Sequence, residues 1–225
     1  MAITQIYSIT SPETALKCIE AGADNIGSLA GSHDPGTPHN CTIEQINAIY
    51  RAVGNRATKV LIPYVTDPAE VMRICELTSP DVCHLTLPPL HTSEEFYREF
   101  KRRFPRMLLM QAVPMTGPEA LDTAVEYAKY SDWLILDSVK PGAKEIGAAG
   151  AVHDWSISRK IVDTVRRPVI LAGGLGPDNV REAIETVRPF GVDSLTRTND
   201  PATGDKDIDL VRAFCREAAA SRPRS

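Results

Sequence analysis

The sequence lacks what several classes of protein require. Its five cysteines (Cys18, Cys41, Cys75, Cys83 and Cys215) are an odd number with no Cys-x-x-Cys pair, so neither a disulfide framework nor a zinc ribbon is indicated, and reduced thiols are expected, several of them as core filler. No apolar run is long enough to cross a bilayer, and Met1-Ala-Ile-Thr-Gln5 has neither the charged start nor the apolar centre of a signal peptide. A cytoplasmic chain without membrane contact is expected. Basic charge is not in excess: 25 Lys and Arg face 29 Asp and Glu, for a net charge of −4. The cations are scattered rather than striped, which leaves no footprint for nucleic acid. Linkers, low-complexity tracts and convincing short repeats are absent as well.

What is there is an alternation of strand-like and helix-like segments from end to end. Strands are predicted over 3–9, 24–29, 59–64, 81–87, 107–113, 132–137, 169–172 and 191–196. Helices follow each of them, opened by capping residues such as Ser11 before Pro12, and Thr42. Between the second strand and its helix lies a polar loop, 31–40, rich in Gly, Pro, Asp and Asn. Eight strand-helix units in 225 residues argue for an α/β chain folded as a single closed (β/α)₈ TIM barrel, because closure leaves no edge strand exposed. One domain over 1–220 is expected, with 221–225 as a frayed tail, and the protein is expected to be a monomer or a homodimer.

Such a barrel gives the site an address, since chemistry gathers at the C-terminal ends of the strands. The stretch Pro168-Val-Ile-Leu-Ala-Gly-Gly-Leu175 reads as a buried strand ending in a glycine pair, with a helix start at Pro177-Asp-Asn179. Gly173 and Gly174 carry no Cβ to keep an anion from their N–H groups, so they form either a phosphate cradle or a plain tight turn. Asp137 ends an apolar strand, where partial burial would raise its pKa toward the working range of an acid or base; the alternative is a carboxylate that caps its own loop. A second glycine-rich rim, Gly147-Ala-Ala-Gly150, precedes His153-Asp-Trp-Ser156, in which Asp154 or Ser156 reads as a helix start. Arg197 either meets a phosphate or carboxylate at the cradle or pairs with Asp200. Lys140 and Lys144 are candidates for a Schiff base in a lyase or aldolase, against the reading of solvated loop lysines. His33, Asp34, His39 and Cys41 share a loop, but their spacing matches no metal-binding pattern, and neither a metal nor another cofactor is expected.

These segments resemble the phosphoribosylanthranilate isomerase family over nearly the whole chain. The resemblance rests on Ile9-Thr-Ser-Pro-Glu-Thr-Ala-Leu16, Glu20-Ala-Gly-Ala-Asp-Asn-Ile-Gly27, Leu136-Asp-Ser138, His153-Asp-Trp-Ser156, the glycine stretch, and Arg188-Pro-Phe-Gly-Val-Asp193. It implies a barrel enzyme of tryptophan biosynthesis that turns an aminoaldose phosphate into an aminoketose by Amadori rearrangement. It further implies Asp137 as general acid and Gly173 and Gly174 as phosphate ligands. Other positions depart from the family's pattern. Where the family has Lys-Ile-Cys-Gly-Ile-Thr, with the cysteine as general base, this chain has Gln5-Ile-Tyr-Ser-Ile-Thr10, so Tyr7 holds the base position. The family's Ser-Pro-Arg reads Thr37-Pro-His39, which replaces a fixed charge by a mostly neutral imidazole. Its Ser-Ser-Gly-Val-Glu reads Leu195-Thr-Arg-Thr-Asn199, and its Gln-x-His reads His84-Leu-Thr86. His84 is thus either a replacement base or a packed barrel histidine. The departures leave the scaffold and alter the mouth, which points to a changed ligand or reaction. The resemblance then implies a divergent isomerase acting on a small phosphorylated sugar or sugar-amine, with a lyase or aldolase using Lys140, or a non-catalytic phosphate-binding barrel, as the alternatives.

Overall fold

The computed structural model describes residues 2–34, 36–86, 93–139 and 152–221. The chain opens with β1 (Ile3–Ile6), α1 (Pro12–Glu20), β2 (Asn25–Ala30), a short β3 (Asn40–Cys41) and α2 (Ile43–Val53). Next come β4 (Thr58–Pro63), α3 (Pro68–Thr78), β5 (Val82–Leu85), α4 (Glu94–Arg103), β6 (Leu108–Pro114) and α5 (Ala120–Tyr127). The last part holds β7 (Trp133–Asp137), α6 (Trp155–Thr164), β8 (Val169–Leu171), α7 (Val180–Val187), β9 (Gly191–Ser194) and α8 (Ile208–Ala220). All strand pairings are parallel, in the order β1-β9-β8-β7-β6-β5-β4-β2, and β1 also pairs with β2, which closes the barrel as expected. The two residues of β3 pair only with β2 and lie outside the closed ring.

Local chemistry explains why the helices begin where they do. Ser11 accepts from the N–H of Thr14, with Pro12 at the first helical position, and Thr42 and Gln45 make a reciprocal capping box at the start of α2. Asp67, Ser93, Asp154 and Asp207 cap α3, α4, α6 and α8 in the same manner. Asp207 caps α8, and the residue before it, Lys206, forms an antiparallel bridge with Asn199. The strand expected to run to 196 stops at Ser194 and gives way to a 3-10 turn, Thr196–Thr198. Ser221, expected to open a frayed tail, is buried, and its hydroxyl donates to the Ala218 carbonyl at 2.6 Å. Residues 222–225 lie outside the described residues.

Strand alternation sorts the side chains into two cores. Ile6, Ile26, Leu61, Cys83, Leu109, Leu134 and Leu171 face the helices, while Tyr7, Val60, Ile62, Val82, Met110, Ile135 and Ile170 fill the lumen. Being covered on both faces, the strands carry the near-continuous apolar runs that such burial selects. All five cysteines are free and buried, as expected of filler. Among the described residues no helix is long and apolar enough to cross a membrane.

Candidate active site

The lumen is not apolar throughout. On β1, Gln5 and Tyr7 point inward and Ile6 outward, and the register sets Gln5 beside Asp193 of β9 and Asn25 of β2. The Asn25 amide donates to Gln5 Oε1 at 3.1 Å, and Gln5 Nε2 donates to Asp193 Oδ1 at 3.0 Å. One layer above, Tyr7 crosses the lumen over Gly27. A Cβ at Gly27 would collide with the edge of the tyrosine ring, so the glycine makes the room that the phenol occupies.

At the far side of the lumen Tyr7 Oη meets His84 Nδ1 at 2.5 Å. Burial drives the His84 pKa down to about 3 and that of Tyr7 well above 10, with the charge of Asp193 adding to the latter. Both groups are therefore neutral near pH 7, and the phenol is the donor. Nδ1 is then the acceptor, which puts the imidazole proton on Nε2. That Nε2 is buried without a hydrogen-bond partner, as are Thr86 Oγ1, just past the end of β5, and Ser8 Oγ, beside Tyr7. Unsatisfied buried polar atoms are uncommon, and although Tyr50, Gln111 and Trp155 carry others, these three lie near the ends of β1 and β5, where a ligand's polar groups would match them.

Asp137, the last residue of β7, is half-buried and accepts the Ser138 N–H at 2.7 Å. Burial lifts its pKa to about 7, against the pull of that hydrogen bond. The cap reading and the raised-pKa reading thus hold for the same carboxyl. Ser138 leads on to His153, whose Nδ1 lies 3.2 Å from Ser138 Oγ and whose Nε2 lies 2.8 Å from Ser158 Oγ. Asp154 is the helix cap, accepting from the N–H of Ser156.

The loop after β8 has Gly173 and Gly174 at φ +84° and +63°, which only glycine adopts without strain. A side chain at Gly173 would strike Ser138 Oγ. Asn179 staples the loop, its amide donating to the Gly174 carbonyl at 3.0 Å and its Oδ1 accepting from the N–H of Gly176 at 2.8 Å. The N–H groups of Gly173, Gly174 and Leu175 donate to no acceptor among the described residues. Three successive free N–H groups ahead of a helix are the donor set of an anion cradle.

Arg197 does not pair with Asp200. Its guanidinium donates to both carboxylate oxygens of Asp178 at 2.7 Å, and its side chain runs alongside Gly176. His39 adopts a left-handed φ of +60° and is half-buried; burial and the charge of Lys206 lower its pKa, against Asp205. Cys41 is buried, and its thiol is turned toward the carbonyls of Ile9 and His39. Gly150, Lys140 and Lys144 lie outside the described residues.

Two ionisable groups, one buried and one half-buried, are not evident from the sequence alone. Asp193 is 6% exposed and its pKa rises to about 8, chiefly through burial and then through the charge of Asp137, against Gln5 and Lys206. Lys206 donates to the Leu195 carbonyl at 2.7 Å, Thr198 Oγ1 at 3.0 Å and Asn199 Oδ1 at 2.5 Å, and burial lowers its pKa to about 8. The signal for Asp193 was present in the alternation of Gly191, Asp193 and Leu195 with Val192 and Ser194, which turns the carboxyl inward once the strand belongs to a barrel.

Residues 4–217 match the family model described as N-(5'-phosphoribosyl)anthranilate (PRA) isomerase. The N-(5'-phosphoribosyl)anthranilate isomerase of Methanocella arvoryzae is 32% identical over 224 residues, covering 99% of this chain and 100% of that protein. The crystal structure of phosphoribosyl anthranilate isomerase from Thermotoga maritima superposes with a TM-score of 0.80 at 26% identity, covering 98% of this chain and 100% of that one. A phosphoribosyl anthranilate isomerase in complex with reduced 1-(o-carboxyphenylamino)-1-deoxyribulose 5-phosphate superposes with a TM-score of 0.78 at 25% identity and the same coverage.

Proposed function

We propose, on the premise that the chain belongs to the N-(5'-phosphoribosyl)anthranilate isomerase family, that its barrel mouth carries out an Amadori-type aldose-to-ketose isomerisation of a phosphorylated sugar-amine such as phosphoribosylanthranilate. The observation that carries this reading is the pairing of Asp137, lifted to about pKa 7, with the three free N–H groups that follow β8. An acid with a pKa near the working pH suits proton transfer in both directions, and the cradle holds the phosphate a fixed distance away. Gly173 and Gly174 bind that phosphate, with Arg197 on the neighbouring loop after β9. His39, Tyr7 and His84 line the reacting end.

The protonated Asp137 gives its proton to the furanose ring oxygen as the C1–O bond breaks, and the substrate nitrogen's lone pair forms the C=N bond of the Schiff base. The carboxylate left behind then takes the C2 proton. The C–H electrons form the C1–C2 double bond, the C=N electrons return to nitrogen, and tautomerisation gives the ketose. The resting Tyr7 and His84 pair makes a poor base, because the phenol is already protonated and the imidazole accepts its hydrogen bond. Tyr7 and His84 instead orient the substrate through the Nε2–H that has no partner, and Asp137 serves both steps in turn.

A direct assay with phosphoribosylanthranilate tests this, with wild type compared to Asp137→Asn. Turnover in wild type that falls by about 10² or more in the variant is expected for loss of a positioned acid and base. Wild-type inactivity at high enzyme concentration would overturn the reading.

A further inference from the structure

Asp137 and Asp193 belong to one layer of the barrel. The register pairs Leu136 with Leu171 and Leu171 with Val192, so one residue further along, Asp137, Ala172 and Asp193 stand side by side on β7, the end of β8 and β9. All three point into the lumen. Strands lie about 4.8 Å apart, which sets the two aspartate backbones roughly 10 Å apart with Ala172 between them. Side chains from alternate strands form such layers in closed barrels.

Among the described residues neither carboxyl meets a cation directly: no ion pair there involves Asp137 or Asp193, and Lys206 already spends its three donors on Leu195, Thr198 and Asn199. The groups that face Asp193 are Gln5 and Tyr7 on β1, Ala172 at the end of β8, Asp137 on β7 and the more distant charge of Lys206. Asn25 fixes which way Gln5 turns, so its amide N–H is locked onto Asp193 Oδ1. Among the described residues only one oxygen of Asp193 is served by a donor, which leaves the other to carry a proton. Two like charges in a space with this little compensation repel strongly, so the second ionisation is opposed by the first.

We propose that Asp193 is a positioning residue for the isomerisation, acting through Asp137: a second carboxyl group that stays protonated while Asp137 ionises. The proposal rests on the isomerase reading and deepens it. With Asp193 neutral, Asp137 alone alternates between acid and carboxylate during turnover. Ionisation of Asp193 as well would put a second negative charge beneath the substrate just as electrons move onto its carbon skeleton.

Coupling of this kind is reciprocal, which gives the test two independent arms. The wild-type protein, Asp137→Asn and Asp193→Asn are labelled with ¹³C at the aspartate carboxyl carbons and titrated by NMR. In wild type, two carboxyls are expected to titrate near neutrality, far from the ordinary aspartate range. In Asp137→Asn the remaining step, that of Asp193, moves down by about one pH unit or more. In Asp193→Asn one near-neutral step survives, and the pH profile of phosphoribosylanthranilate turnover loses the component on its alkaline side that belongs to Asp193. An Asp193 that titrates in the ordinary range, or whose midpoint is the same in wild type and Asp137→Asn, overturns the proposal. If Asp193→Asn does not fold, the Asp137→Asn titration decides alone. If wild type proves inactive on phosphoribosylanthranilate, the isomerase reading falls while the titration still decides whether the two carboxyls are coupled.

Discussion

Tyr7 Oη and His84 Nδ1 are 2.5 Å apart across the lumen, one from β1 and the other from β5. The contact ties together strands that do not pair with each other, and it occupies the position where the family's pattern has a small thiol. A phenol there closes the lumen and exchanges a nucleophilic, ionisable group for a neutral hydrogen-bond donor. In the proposed mechanism the proton transfers therefore fall to the carboxyl at the end of β7.

The fit of Tyr7 depends on Gly27. Gly27→Ala is expected to destabilise the protein by about 1–3 kcal/mol, the usual cost of overpacking a well-filled core. In a Tyr7→Ala background the same substitution should cost much less, because the ring it collides with is gone. A double-mutant cycle by urea unfolding measures this, and additive effects would show that the ring and the glycine do not constrain each other.

Ser8 stands where the family's pattern has glycine, and it carries a left-handed φ of +63° with its hydroxyl buried and unpartnered. A residue with a Cβ pays about 1–2 kcal/mol for that conformation. Ser8→Gly should therefore raise stability by roughly 1 kcal/mol, read as an upward shift of the urea midpoint with an unchanged slope. Lower stability would mean that the Ser8 hydroxyl has a compensating partner.

Most of the scaffold was legible because it is periodic. Each strand-helix unit repeats the same apolar run and the same capping chemistry, so Ser11, Thr42 and Asp154 announced their helices and the count of eight announced closure. Asp137 was legible for a related reason, as a charge at the end of an unbroken apolar run. Asp193 was not, since its strand is only four residues long and a single inward carboxyl means little until barrel closure defines what inward is. The partner of Arg197 was misread for the same reason: Asp178 is 19 residues away in sequence and becomes a neighbour only when the loops after β8 and β9 are set side by side. The β3 segment lay in a polar loop, and two residues carry no periodicity.

The Asp178 and Arg197 pair makes a prediction about the cradle. The ion pair is exposed and contributes little to stability, but it engages the guanidinium that would otherwise be available to an anion at the proposed cradle. Asp178→Asn removes a negative charge beside the cradle and releases Arg197, so inorganic phosphate should bind more tightly, by several-fold at low ionic strength. Arg197→Ala should weaken binding relative to Asp178→Asn. Isothermal titration with phosphate distinguishes these outcomes, and equal affinities in all three proteins would remove Arg197 from the phosphate site.

The same electrostatics sets how stability varies with pH. Burial raises the pKa of Asp137 from the ordinary range to about 7, so between roughly pH 4 and pH 7 the folded state holds a proton that the unfolded chain gives up. A raised folded-state pKa means stability that is fully present below the unfolded pKa and is lost as pH rises through the folded one. The slope is at most about 1.4 kcal/mol per pH unit for one group, and less where solvent reaches a half-buried carboxyl. Asp137→Asn keeps an acceptor for the Ser138 N–H and abolishes the titration. Its stability relative to wild type should therefore grow from pH 4 to pH 8, followed as the difference in denaturation midpoint between the two proteins across that range. A difference that stays flat would mean that Asp137 titrates at the same pH folded and unfolded, and would deprive the proposed acid of its proton at neutral pH.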